Sequence, residues 1–146
     1  MASERMYRSE IRAWECYQLL EGAAVGRLAI IEHGFPVAIP ISYQLTGSSS
    51  ERRIVVRTAA TTTIARYAGP ASLEVDRIDE QQRTAWSVIA RGRLHRLFGD
   101  DSLPDPGPWV IAARDQWVAL DVVAVSGRRF VGQPGHDGSG VQWRFE

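Results

Sequence analysis

Residues 55–68, VRTAATTTIARYAG, combine hydroxyls and cations in a pattern that suits an anion. The stretch opens like a β-strand and continues as a short helix, whose N-terminus would offer unpaired N–H groups to a phosphate. The side chains that would add to those donors are the hydroxyls of Thr58, Thr61, Thr62 and Thr63 and a guanidinium fork from Arg57 or Arg66. An alternative stays open, in which one threonine caps the helix and the others serve the strand or face solvent.

A proline interrupts the next candidate, the strand-like run IPISYQ. Pro40 and Ser42 share a face by the two-residue alternation of a strand, and Tyr43 follows them. A strand broken by proline leaves backbone groups able to hydrogen-bond a planar heterocycle lying across it. The other interpretation is that Pro40 marks a sheet edge and Tyr43 is a half-buried aromatic.

Two further positions have the right chemistry for a flat or anionic ligand. Trp86 and Ser87 begin the run AWSVIARG on opposite strand faces, so Trp86 either stacks on a ring or packs in the core, and Ser87 could bond a ring carbonyl. Arg128 and Arg129 in SGRR form a second basic spot, for an anion, a partner subunit or solvent.

Hydrolytic and metal-dependent functions have no support in the sequence. His33, His95 and His136 lie in separate contexts without catalytic or ligand spacing, and neither G-x-S-x-G nor H-E-x-x-H occurs. Cys16 is the single cysteine, which excludes an internal disulfide and a cysteine-based zinc site. We therefore predict an intracellular protein without a metal.

The net charge and the length of the chain indicate which partners, location and number of domains to expect. The net charge is zero, so nothing draws the chain toward nucleic acid or a membrane surface, and all 17 basic side chains are arginine. The sequence shows no signal peptide and no apolar run of membrane-spanning length, which predicts a cytoplasmic location. At 146 residues we expect one domain, 1–146.

The elements that must position these residues are mostly strands. We predict a short helix from Ser9 and Glu10 to Gly22, and a second short helix after the threonines that ends at Gly69-Pro70. Six strands are predicted, over 25–31, 37–45, 54–58, 71–79, 85–98 and 116–130. His33-Gly34 suits a tight hairpin turn, Gly92 suits a bulge, 99–108 a surface loop and 131–146 a flexible tail. This pattern predicts a mainly β (α+β) fold, an antiparallel barrel with short flanking helices.

Six short motifs in this order resemble the pyridoxamine 5'-phosphate oxidase family, in its short FMN-binding split β-barrel branch common in actinobacteria. The motifs are VGRLA, G-x-P with PISY, VRTAATTT, LEVDRID, AWSVIARG and SGRR, and they cover about residues 15 to 130. The resemblance implies a six-stranded split barrel, a homodimer with FMN in each interface cleft, and an oxidoreductase acting on a small molecule. The chain is too short to imply pyridoxal phosphate synthesis.

The resemblance also implies roles for individual residues. Pro40, Ile41, Ser42 and Tyr43 would border the flavin ring, Arg57 and Thr58 would approach the ribityl phosphate, Thr62 and Thr63 would form the phosphate loop, and Trp86 and Ser87 would reach the ribityl chain or ring. No residue is assigned as catalytic.

One position departs from the family. Thr61, Thr62 and Thr63 stand where the family has Gly-Thr-Lys, and loss of the lysine is expected to cost about 2–3 kcal/mol of phosphate binding unless Arg57 or Arg66 compensates. Two alternatives follow: a deazaflavin whose acidic tail is held by Arg128 and Arg129, or a non-catalytic binding or scaffold protein without a cofactor.

Overall fold

The computed structural model describes residues 7–48, 50–98 and 116–132, which form one antiparallel β-sheet and two short helices. The strands are β1 (Tyr7–Ile11), β2 (Val25–Glu32), β3 (Phe35–Ser42), β4 (Gln44–Ser48), β5 (Glu51–Thr58), β6 (Gly69–Asp79), β7 (Thr84–Leu97) and β8 (Gln116–Val131). The helices are α1 (Ala13–Gly22) and α2 (Thr63–Arg66).

The sheet follows the order β3-β2-β6-β7-β8-β5-β4, and β1 also pairs with β8. β8 is long enough to pair with β7 along one side while its two halves pair with β5 and β1 along the other. β3 runs into β4 through Tyr43 and also contacts β5, so the two edges of the sheet meet. The mainly β barrel predicted from the sequence is confirmed.

The core lies inside this barrel because alternate residues of each strand are apolar and point inward. Leu28, Ile54, Leu73, Val88 and Leu120, from five different strands, have no exposed surface. α1 closes one end with Cys16 and Leu20, which are also fully buried.

We call the opposite side of β3, β2, β6, β7 and β8 the outer face. One row across it reads Pro40, Arg27, Glu74, Ile89 and Ser126, each paired with the next. Among the described residues, both helices lie on the core side, and their buried members are Cys16, Leu20, Ile64 and Ala65.

The hairpin, edge and bulge predictions are confirmed. His33 and Gly34 form a two-residue turn with φ values of 51° and 82°, as a type I′ hairpin requires. Pro40 lies in β3, an edge strand of the sheet order, where its missing N–H breaks no inner ladder. At Gly92 the β7–β8 register shifts, so that Val123 on β8 becomes the extra residue of a bulge.

The predicted strand count and helix start are wrong. The fold has eight strands, because β1 was not predicted and because the run 37–45 divides at Tyr43 into β3 and β4. Ser9 and Glu10 pair with β8 rather than begin a helix, which starts at Ala13. Gly69 begins β6 instead of ending α2, which already stops at Arg66.

Other predictions fall outside the described residues: the loop at 99–108, His136, and the flexible tail 131–146 apart from its first two positions. Val131 ends β8, and Gly132 donates its N–H to the Arg83 carbonyl at 2.8 Å. Within the described ranges, no helix has the length and apolar character needed to cross a membrane.

Candidate functional site

The threonine turn between β5 and α2 is closed by its own hydrogen bonds. The Thr62 hydroxyl caps α2, accepting from Ala65 N at 3.3 Å, and it donates to the Ala59 carbonyl at 2.9 Å. The Thr58 hydroxyl lies 2.8 Å from that of Thr62 and is itself buried. Since each hydroxyl has one proton, both are used inside the turn. The predicted threonine cap is confirmed, and Thr58 and Thr62 would donate to an anion only after rotating.

Thr63 faces a carboxylate. Its hydroxyl lies 3.4 Å from Glu32 Oε1, at the tip of the β2–β3 hairpin. A carboxylate beside the position that carries lysine in the family makes this side of the turn less favourable for a phosphate.

Arg57 provides a cation at this end of the barrel. It leaves β5 on the side opposite Ile54 and Val56, two residues of the core, and its guanidinium lies 5.6 Å from the Trp117 ring centroid. Contact with an aromatic face holds a guanidinium in position, and the planar fork of an arginine matches the geometry of a bidentate anion contact.

β3 divides the four predicted ring-binding residues between its two faces. Pro40 and Ser42 point to the outer face, while Ile41 and Tyr43 are buried in the core. β4 and β5 are antiparallel, and Gln44 pairs with Val55. Ser42, two residues before Gln44, therefore lies at the same end of the sheet as Arg57, two residues after Val55. The outward group therefore consists of Pro40, Ser42 and Arg57.

Tyr43 anchors α1 to the sheet. Its hydroxyl donates to the Leu20 carbonyl at 2.5 Å, and its N–H donates to the Ala24 carbonyl at 3.3 Å. Burial raises the pKa of Tyr43, so the phenol stays protonated and able to donate. Its side chain serves the fold and cannot also touch a ligand on the outer face.

We predict that Tyr43→Phe lowers the free energy of unfolding by about 1–2 kcal/mol, because the Leu20 carbonyl loses its donor inside the core. Urea unfolding followed by circular dichroism measures the change. Tyr67→Phe is the matched control, since the Tyr67 hydroxyl donates to the Pro70 carbonyl at 2.6 Å where water can replace it. Equal losses in the two variants would contradict the anchoring role.

Trp86 and Ser87 lie far from the threonine turn. Trp86 packs against the core beside Arg77 and Arg129, and Ser87 points to the outer face opposite Asp76 and Arg128. Arg57, next to the threonine turn, pairs with Trp117, and Trp117 pairs with Leu97 at the end of β7 opposite to Trp86. From Trp86 to Leu97 the strand runs on the order of 35 Å. One copy of the chain does not bring Ser87 to Arg57.

The second basic spot is divided in the same way. Arg129 forms an ion pair with Glu15 of α1, while Arg128 lies on the outer face beside Ser87. Arg129 is thus used to hold α1 against β8.

Two charged clusters were not predicted from the sequence. On the outer face, Arg27 Nη1 lies 3.5 Å from Glu74 and 3.1 Å from Asp76. Burial, and then the hydrogen bond and charge of Asp76, raise the pKa of Glu74 to about 7 against the opposing effect of Arg27. The sequence could have indicated that the two carboxylates share a strand face, since LEVD alternates apolar and acidic residues. The pairing of Arg27 with Glu74 depends on the register of β2 and β6, which only the structure shows.

The second cluster joins three strands around Asp121. Its carboxylate accepts from Arg53 Nε at 2.8 Å and lies 2.7 Å from His95 Nε2. His33, by contrast, sits in the exposed hairpin turn. In the part of the chain that the structure describes, no three His, Cys, Asp or Glu side chains are grouped to hold a metal ion.

The family profile described as pyridoxamine 5'-phosphate oxidase matches residues 12–129, most of the chain. The chain belongs to the pyridoxamine 5'-phosphate oxidase family. The match begins just before α1 and ends at Arg129, so it includes every site residue predicted from the sequence. No protein with a curated description matches the chain.

Solved structures of similar proteins share the split-barrel fold of this family. A FAD-binding protein from Mycobacterium smegmatis is 25% identical, with a TM-score of 0.66 over 85% of this chain and 99% of that one. A conserved protein of unknown function from Corynebacterium diphtheriae is 27% identical, with a TM-score of 0.71 over 85% and 98%. A FAD-binding protein from Mesorhizobium loti, at 22% identity and a TM-score of 0.66 over 86% and 98%, is similar in fold.

Proposed function

We propose that this member of the family binds a flavin, FMN in the first instance, and acts as an oxidoreductase in a cleft shared by two copies of the chain. The observation that carries the proposal is the outward placement of Ser42 and Arg57 at one end of β3 and β5. Family membership supports it, as does the similar Mycobacterium smegmatis protein described as FAD-binding.

The outward side of β3 suits a flat ring. Pro36 and Pro40 present low, rigid surfaces without N–H groups, and the Ser42 hydroxyl lies on the same side. A bound flavin supplies a ring that accepts and returns a hydride. The contribution of this chain would be to orient that ring against β3 and to exclude water from it.

Arg57 is the residue we expect to hold a terminal phosphate, together with backbone N–H groups at the start of α2. Thr58 and Thr62 would add donors by leaving their closed network, and Glu32 beside Thr63 opposes a dianion. The residues fit a flavin, with a phosphate contact that depends mainly on one guanidinium.

The cleft needs a second copy of the chain. Within one copy, Ser42 and Ser87 both point to the outer face, but Arg27 and the Glu74–Asp76 carboxylates lie between them. A homodimer would place Ser87 of one copy above the β3 surface of the other. Trp86 would remain in its own core.

A non-catalytic binding protein is the second candidate, favoured by the Thr63–Glu32 contact and the closed threonine network. A deazaflavin has weaker support, because Arg129, one of the two arginines expected to hold its acidic tail, is paired with Glu15.

A titration of the purified full chain with FMN, FAD and a deazaflavin, followed by quenching of flavin fluorescence, tests the proposal. We expect saturable binding of FMN in the micromolar range, because one charged contact worth about 1.5–3 kcal/mol adds only about tenfold to a hundredfold to the affinity that the ring contacts supply. Tighter binding of FAD or of the deazaflavin would show that this compound, and not FMN, is the preferred cofactor. If none of the three flavin compounds bound saturably, the flavin proposal would be wrong and the non-catalytic binding protein would be the function that remains.

A further inference from the structure

β2 and β6 separate at one end of the sheet. Their pairing stops after Ala29 and Ser72, although both strands continue beyond this pair. From there β2 stays with β3, and β6 stays with β7. A continued register would set Ile31 against Pro70, whose nitrogen has no hydrogen to donate to a ladder. The two strand pairs therefore diverge and leave an opening, which we call the β2–β6 cleft.

The β2–β6 cleft has the size and the lining of a small-molecule site. Its volume is about 360 Å³, within the range of pockets that bind small ligands. Ala29 and Ser72 lie where it closes, and its walls are Ile31 and Pro36 on one side and Pro70 on the other. Each strand has a stretch of three residues outside the β2–β6 pairing, so the cleft is about 10 Å long. Because it lies between two strand pairs, a small and flat ligand fits it best.

Arg91 supplies the charge at this cleft. It pairs with Ser72, points outward and is exposed. Its guanidinium donates to the Ser126 hydroxyl at 3.0 Å, and this partner is neutral. Of the described residues that line the cleft, none is acidic. A guanidinium has five N–H donors, so the bond to Ser126 leaves it able to hold a carboxylate through two parallel hydrogen bonds.

We propose that the β2–β6 cleft binds a small, flat, apolar carboxylate, whose ring lies between the two strand pairs and whose carboxylate contacts Arg91. The walls favour an apolar body, because Ile31, which is 53% exposed, and two prolines would be covered by it. Charge complementarity favours an anion, because Arg91 is the one ionised side chain among the described lining residues.

The β2–β6 cleft borders the surface proposed for the flavin ring, because Pro36 belongs to both. A molecule bound in the cleft would lie beside that ring, as a substrate of the oxidoreductase would. This link rests on the proposed function. Binding of the carboxylate itself needs neither a flavin nor a second copy of the chain.

Equilibrium dialysis of the full chain without flavin tests the site, with 1-naphthoate and its neutral analogue 1-naphthalenemethanol as probes. We expect saturable binding of naphthoate with a Kd below about 1 mM. Arg91→Met should weaken naphthoate binding by about tenfold and change binding of the neutral analogue by less than about twofold. Arg77→Met, which removes an exposed arginine near the far end of β6, is the control and should change neither.

A second pair of variants tests the position of the ring. Ala29→Leu places a larger side chain where the cleft closes and should weaken binding of both probes by about tenfold. Ala38→Leu is the matched control, because Ala38 pairs with Ala29 in the same row of the sheet but lies outside the cleft.

The possible outcomes are distinct from those of the flavin titration. Absence of saturable naphthoate binding, or equal losses in Ala29→Leu and Ala38→Leu, would overturn the site. Equal losses in Arg91→Met and Arg77→Met would overturn the carboxylate contact. Naphthoate affinity that falls as the protein concentration rises would show that a second copy covers the cleft, which also contradicts the proposal. Each of these results leaves the affinity for FMN to be measured separately.

Discussion

Gly92→Ala should lower the free energy of unfolding by about 3 kcal/mol and the melting temperature by about 10 °C. A Cβ atom at this position would lie 1.9 Å from the Asp121 carbonyl oxygen, so the backbone of β8 would have to move. The bulge that Gly92 makes possible also sets the register of the longest strand pair, and through β8 it fixes β5 and β1. Thermal unfolding followed by circular dichroism measures the loss.

Gly22→Ala is the control for this substitution. Gly22 ends α1, and no atom lies within 4 Å of a Cβ built there, so we expect a change of a few tenths of a kcal/mol at most. If Gly92→Ala unfolded at the same temperature as the unsubstituted chain, the close approach at the bulge would not constrain the barrel.

Arg57→Ala should weaken flavin binding by roughly tenfold to a hundredfold, because Arg57 is the cation at the outward end of β5 and a hydrogen bond to a charged group contributes about 1.5–3 kcal/mol. The fluorescence titration with FMN measures the change. Riboflavin, which has no phosphate, should bind both proteins equally, which assigns the loss to the phosphate contact.

Arg96→Ala is the matched control for Arg57→Ala. The Arg96 guanidinium also lies over an aromatic ring, 5.2 Å from the Phe98 centroid, but on β7 rather than on β5. A loss of FMN affinity of the same size in both variants would show that general positive charge, and not the Arg57 position, holds the phosphate.

The sequence was sufficient to predict the turn, the bulge and the helix cap, which depend on local chemistry. His33-Gly34 specifies a type I′ turn because both positions take positive φ, and Gly92 specifies a bulge because no side chain fits there. Thr62 was foreseeable as a cap, since its hydroxyl serves an N–H three residues away. In each case the physical reason lies within a few residues of the chain.

Features that depend on distant pairing were not predictable in the same way. Residues 7–11 form a strand because β8, more than a hundred residues later, supplies their hydrogen bonds. The run 37–45 divides at Tyr43 because the residues up to Ser42 pair with β2, whereas those from Gln44 onward pair with β5. Arg27 meets Glu74 and Asp76 only through the β2–β6 register, so a motif search cannot find this cluster.

The position of Cys16 gives this protein a built-in reporter. It is the single thiol in the sequence and lies fully buried on the core side of α1. Burial raises the pKa of this thiol, so almost none of it is the reactive thiolate. An alkylating reagent can modify it only when α1 lifts from β8. The rate of labelling therefore measures how often this end of the barrel opens, without a probe having to be introduced.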